Sequence, residues 1–172
     1  MTAKIIDGKQ VAADMRAELK NEVANLKTEG IVPGLGVILV GADPATQSYV
    51  TAKEKACEEI GIYSDDNRLP AETTQQELMA LIHKMNNDPK INGILVQLPL
   101  PKHLNESEVL LAISPDKDVD GFHPMNIGKM VAGEKAFLPC TPHGIIQLLL
   151  RNNVAIDGAH VVVVGRSNIV GK

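Results

Sequence analysis

GLGVILVG, residues 34–41, decides the fold. The run is apolar, rich in β-branched residues and bounded by glycines, which reads as a strand buried on both faces. GILVQLPLP (93–101), stopped by its prolines, and HVVVVG (160–165) have the same character and give a second and a third buried strand. Helical periodicity fills the space around them. Val11, Met15, Leu19, Val23 and Leu26 form one face of a long helix that Gly30 ends. Asp43 and Pro44 supply the N-cap and first helical residue of a helix to about Ile60, closed by Gly61. Thr74-x-x-Glu77 is a capping box opening a helix to about Asn86. Asn105-x-x-Glu108 caps a short helix to Ile113, residues 114–126 read as a loop, and Thr141-Pro142 starts a helix to about Arg151.

Helices alternating with doubly apolar strands predict an α/β domain of three layers with a mainly parallel sheet. In such sheets ligands sit beyond the carboxyl ends of the strands, so the segments after 40, 97 and 164 are the places to search. The last of these reads GRSNIVGK. A strand with a Gly-rich turn should open a helix and cross over to another parallel strand, a unit of about 30 residues. The expected division is therefore a first domain over 1–140, followed at 141–172 by the start of a Rossmann-type dinucleotide-binding domain that is cut short.

Composition narrows the class of function. The 172 residues are 44% hydrophobic and 22% charged, ordinary for a globular chain with its own core. There are two Tyr, two Phe and no Trp, a poor supply for a base-stacking surface. With 17 basic against 21 acidic residues and a formal charge of −4, a phosphate-backbone partner is not expected. Cys57 and Cys140 lack CxxC spacing and read as reduced thiols of a cytoplasmic protein. The first ten residues carry charges where a signal peptide is apolar, and no run is long enough to span a membrane. No nucleic acid and no membrane is the expectation.

Candidate chemistry clusters at the strand ends. On the helix after the first strand, Ala45, Tyr49, Val50, Ala52, Ala56, Cys57 and Ile60 share an apolar arc with Lys53 in its middle. Lys53 is either a snorkelling lysine whose stem covers the core or a proton acceptor and donor at a pocket wall. Gln97 interrupts a buried strand and needs a partner, either a neighbouring loop or a ligand and water. Asp116-Lys-Asp118-Val-Asp120-Gly121 resembles the start of a calcium loop, but Ile127 stands where the closing Glu belongs. What remains is a turn with local Asp caps, or one carboxylate aimed at a ligand's polar edge. Cys140-x-x-His143 offers only two metal ligands, so no metal site is expected. Gly165-Arg166-Ser167 through Gly171 stands in strand-to-helix context, suited to cradling phosphate or to an ordinary turn.

Taken together, YVTAK (49–53), GILVQLPLP (93–101), PDKDVDGFHPMNIG (115–128), PCTPHGI (139–145) and GRSNIVGK (165–172) resemble the bifunctional methylenetetrahydrofolate dehydrogenase/methenyltetrahydrofolate cyclohydrolase family. The resemblance covers the whole chain and rests on these segments jointly. It implies NADP-dependent oxidation of 5,10-methylenetetrahydrofolate to the methenyl form and hydrolysis of that to 10-formyltetrahydrofolate, within one-carbon metabolism and purine biosynthesis. It implies tetrahydrofolate derivatives as substrates, NADP as cofactor and a homodimer. Through it Lys53 is the cyclohydrolase lysine, Tyr49 the residue packing on the folate rings, Gln97 the partner of the lysine and Asp120 the carboxylate on the pterin edge, these four being the catalytic set. Leu98 joins them in binding substrate, and Gly165, Arg166 and Ser167 form the cofactor loop. A family member has about 280–300 residues, so its second cofactor-domain half lies outside this sequence. A dehydrogenase-only relative and a non-catalytic folate- or nucleotide-binding module are the competing readings.

Overall fold

A computed structural model describes residues 3–41 and 44–171. Helix α1 (Gly8–Thr28) is capped by Asp7, whose carboxylate accepts from the amides of Lys9 and Gln10. Strand β1 (Gly34–Val40) leads into helix α2 (Pro44–Ile60), then strand β2 (Tyr63–Leu69) and helix α3 (Gln75–Asn87). Strand β3 (Gly93–Val96) is followed by helices α4 (Glu106–Ala112), α5 (Pro124–Val131) and α6 (Cys140–Arg151). The expected N-cap Asp43 lies outside the described residues. The capping box of Thr74 and Glu77 forms as the sequence indicates.

The sheet is fully parallel in the order β2-β1-β3, with β1 in the middle. Side chains alternate across it. Ile38, Val40, Ile94 and Val96 point to one face and pack with Leu78, Ile82 and Met85 of α3 and Val109 of α4. Val37, Leu39 and Leu95 point to the other and meet Val50 of α2. The sheet therefore lies between two helical layers, as a both-faces-covered parallel sheet must. α6 docks back on α1, where Arg151 donates twice to the Glu18 carboxylate at 2.8 and 2.7 Å.

Four expectations change. YSDDNRL forms β2, although its sequence has no apolar alternation; as an edge strand it is only half-covered and takes its place from pairing with β1. The second buried strand ends at Val96 rather than running to 101, because Pro99 and Pro101 have no amide to give a ladder. Part of the loop expected at 114–126, with the residues just after it, is α5, whose N-cap is His123. The third expected strand, 160–165, has no assigned secondary structure and joins no sheet among the described residues, and Val161 to Val164 are exposed. A strand without a ladder partner lacks the hydrogen bonds that define it.

Two glycines test the packing. A Cβ on Gly93 would strike Val119 Cγ1, whereas one on Gly128 in α5 meets nothing within 4 Å. Gly93→Ala should destabilise the chain by about 1–3 kcal/mol, as overpacking does. Gly128→Ala should stabilise by about 0.5–1 kcal/mol through helix propensity. Urea midpoints moving the same way in both variants would contradict this packing.

Candidate active site

The carboxyl ends of β1 and β3 meet the middle of α2, and there the sequence-predicted residues converge. Gln97 extends β3 by one ladder bond, its amide donating to Ile38 O at 2.8 Å. Its side chain is held at both ends. Gln97 Nε2 donates to Leu98 O at 2.9 Å, and Lys53 Nζ donates to Gln97 Oε1 at 2.8 Å. An ammonium has only protons to offer, so the amide oxygen must be the end that faces Lys53. Both side chains are half-buried. Of the two readings of Lys53, the structure has its amine paired at a strand end rather than extended into water.

Tyr49 corrects the helical wheel. Val50, Cys57 and Ile60 are buried as the apolar arc requires, but Tyr49 is 66% exposed and Ala52 is exposed too. Val50 packs on Val37 and Leu39, so α2 meets the sheet through a stripe narrower than the arc, and Tyr49 and Ala52 lie off that stripe. Tyr49 thereby presents its ring to solvent one helical turn from Lys53, where a flat ligand can stack on it.

The two readings of the Asp-rich segment are both realised, by different residues. Asp118 is the cap. It is 2% exposed, and its carboxylate accepts from Phe122 N at 3.2 Å, His123 N at 2.8 Å and Asn126 Nδ2 at 2.9 Å. A carboxylate so engaged with donors is a structural acceptor. Asp120, half-buried, is the one that faces the site. Burial pushes its carboxyl above the usual range; Lys53 pulls it back, Asp118 pushes it up again, and the Cys140 thiol donates to it. Gly121 makes the turn possible, with φ +67° and a Cβ position only 2.6 Å from the Leu138 carbonyl carbon.

Cys140 had no place in the sequence reading of the site. It opens α6, and its thiol lies between Val119 O, at 3.5 Å, and the Asp120 carboxyl. Burial and then Asp120 hold that thiol above its ordinary value. Nothing in its spacing from Asp120 marks it; only the return of the chain onto the Gly121 turn does. His143 turns instead along α6 to Gln147.

The cofactor-loop residues stand apart from this cluster. Gly165, Arg166 and Ser167 are exposed. Ser167 Oγ accepts from Val170 N at 3.2 Å and Ser167 O from Gly171 N at 2.9 Å, the start of a helical turn. Leu98 connects the two regions, since it lines a cavity of about 450 Å³ with Phe122, Ile127, Asn168 and Ile169. That cavity lies beside the Lys53 cluster, which contributes only Leu98 to its walls.

A carboxyl held above its unfolded value binds its proton more tightly when folded, so stability is lost as pH rises through the folded value. Asp120 does this, and Asp120→Asn removes the loss. The variant should be at least as stable as the parent at pH 7.5, with the difference shrinking as pH falls toward about 4. Urea midpoints at several pH values check it; a variant less stable at pH 7.5 would contradict the assigned burial.

Comparison with known proteins fits this arrangement. Residues 6–120 match the family model described as tetrahydrofolate dehydrogenase/cyclohydrolase, catalytic domain, and residues 139–172 match its NAD(P)-binding domain. The chain is 59% identical over all 172 residues to the bifunctional protein FolD of Bacillus thuringiensis strain Al Hakam and equally to that of Bacillus cytotoxicus. It spans 60% of the length of these curated relatives. Among solved structures, the bifunctional FolD of Campylobacter jejuni aligns over 98% of this chain and 60% of its own, with TM-score 0.95 and 48% identity. The Trypanosoma brucei enzyme, described as complexed with NADP cofactor and inhibitor, aligns over 99% of this chain and 59% of its own, with TM-score 0.94 and 37% identity. With its catalytic-domain model matched from residue 6 to residue 120, the chain belongs to the tetrahydrofolate dehydrogenase/cyclohydrolase family.

Proposed function

We propose that the chain carries the folate-binding and cyclohydrolase half of a bifunctional methylenetetrahydrofolate dehydrogenase/methenyltetrahydrofolate cyclohydrolase. The observation that carries this is the 2.8 Å hydrogen bond from Lys53 to Gln97, set beside Asp120 at the carboxyl end of a parallel sheet. Residues 1–140 form the folate domain and 141–172 begin the cofactor domain. The substrates are one-carbon derivatives of tetrahydrofolate, the setting is cytoplasmic one-carbon metabolism feeding purine biosynthesis, and the working enzyme is a homodimer.

The site suits hydrolysis of a cationic methenyl carbon. Tyr49 stacks on the folate ring system and Leu98 supports it. Asp120 accepts from the amino group and ring N–H of the pterin edge, which a carboxylate can do with both oxygens. Water then adds to the methenyl carbon, and the electron pair of the C=N bond moves onto nitrogen. Lys53, as the neutral amine for this part of the cycle, takes the proton that the water loses and returns it to N5 as the bond from N5 to the carbon breaks. The hydroxyl proton leaves to solvent, and the formyl group stays on N10. Gln97, its amide anchored on Leu98 O, keeps the amine pointed at that carbon.

The dehydrogenase step needs NADP, and the residues present fit its phosphate-facing part. A Cβ on Gly171 would strike the Gly165 carbonyl, so these glycines allow a closed turn whose backbone can approach a phosphate. Exposed Arg166 is suited to a 2′-phosphate, with Gly165 and Ser167 completing the loop. The chemistry that NADP supplies when bound is acceptance of a hydride, for which the protein's share is positioning.

Lys53→Met keeps the apolar stem and removes the amine. Hydrolysis of methenyltetrahydrofolate should slow by about 10²–10⁴. Asp120→Asn should weaken binding of a folate analogue by about 1.5–3 kcal/mol, the range for hydrogen bonds to a charged group. A Lys53→Met chain hydrolysing at the parent rate would return Lys53 to a stem that merely covers the core. Calorimetry showing folate binding without turnover in the parent would favour a non-catalytic module.

A further inference from the structure

Asp118 has no role in the reading above, yet it is the most completely buried charged residue among those described, and all its donors come from one short stretch. The stretch is pinned from outside as well. Asn126, 3% exposed, donates through Nδ2 to both Asp118 Oδ2 and Pro115 O at 2.9 Å. Lys117 Nζ donates to Met85 O at 3.1 Å and Asp88 O at 2.9 Å, closing the end of α3. Lys117 O accepts from Ile94 N at 2.7 Å, so the segment runs alongside β3. Gly121 N donates to Asp118 O at 3.1 Å, and Gly121 is wedged against Leu138 and Pro139. Between these fixed points sit Val119 and Asp120. Asp120 makes no backbone-capping bond of its own, so its direction is set by what holds residues 118 and 121–123.

We infer that Asp118, clamped by Asn126 and by the amides of Phe122 and His123, is the positioning residue that fixes the direction in which Asp120 presents its carboxyl to the pterin edge. The inference rests on the folate reading of Asp120. Asp118 acts through geometry and through its charge. The groups that face Asp120 are Lys53 from α2, Asp118 from its own turn and Cys140 from the start of α6. Asp118 is the member of that set that pushes the Asp120 proton on, and Lys53 opposes it. Burying a second carboxylate two residues from a ligand-binding one costs stability unless it is fully paired. Here it is paired three times over, which is what a rigid turn requires.

The test uses the whole chain, with carbon-13 NMR of the Asp120 carboxyl and 5-formyltetrahydrofolate as probe. In Asp118→Asn the Asp120 carboxyl should titrate at lower pH than in the parent, while amides of β1 and β3 keep their exchange protection. A residue that merely braces α5 would leave the Asp120 titration where it was, and that result overturns the inference. Affinity for the probe should fall about tenfold, the worth of one hydrogen bond to a charged group. The loss should vanish in an Asp120→Asn background; an equal loss in both backgrounds also overturns it. Should Asp118→Asn fail to fold, Asn126→Ala keeps the charge, releases the clamp and should show the same dependence on Asp120. A parent that binds no probe defeats the folate reading; in Asn126→Ala, which keeps the charge, an Asp120 carboxyl resonance that does not move then overturns the positioning role.

Discussion

Strand β1 accepts no compromise on any side. It is paired in parallel register with β2 along one edge and β3 along the other, and six of its seven residues are buried. Gly36 opposes Ile94, and a Cβ there would press on Met85 and Ile91 at 3.1–3.2 Å, so even the backbone is packed to contact. With the middle strand paired at both edges and buried, the carboxyl ends of its neighbours take their places from it. Gln97 is placed by a ladder bond to Ile38, and α2 is laid across the strand ends by Val50 against Val37 and Leu39. Lys53 meets Gln97 because both are referred to the same strand.

Polar groups near this point are used in two distinct ways. Asp118 and Asn126 are buried and saturated with partners, and they make a rigid turn. Asp120, Lys53 and Tyr49 are left partly open, with Asp120 carrying the cost of burial in a raised carboxyl. A binding site needs both: satisfied groups to define positions and unsatisfied capacity to spend on a ligand.

Local signals carried most of the fold. The capping box at Thr74 and the glycine-bounded run at 34–41 depend on neighbours within a few residues, and each formed. α1 formed too, but of its expected apolar face only Val23 is buried and Leu19 is exposed. β2 was illegible because its place comes from β1, not from YSDDNRL itself. α5 was hidden by Gly128 and by Asn126, a polar residue buried only because Asp118 lies eight residues earlier to receive it. In the site, Gln97 showed itself as an amide in an apolar strand and Lys53 as a charge on an apolar arc, but their pairing spans 44 residues and no spacing announces it. Tyr49 was misplaced because a helical wheel assumes a core under the whole arc, and here α2 meets the sheet through Val50 while Tyr49 lies off that stripe. Cys140 could be found only after the chain had folded back on Gly121.

The central claim is that Lys53 and Gln97 act as one unit. A double-mutant cycle on methenyltetrahydrofolate hydrolysis measures this directly, with Lys53→Met, Gln97→Leu and the pair together. If the amide serves by holding the amine, removing it after Lys53 is gone should cost little, giving a coupling within the 0.5–3 kcal/mol seen for contacting residues. Losses that simply multiply, with no coupling, would mean that the 2.8 Å bond does not organise the chemistry and that the account is wrong.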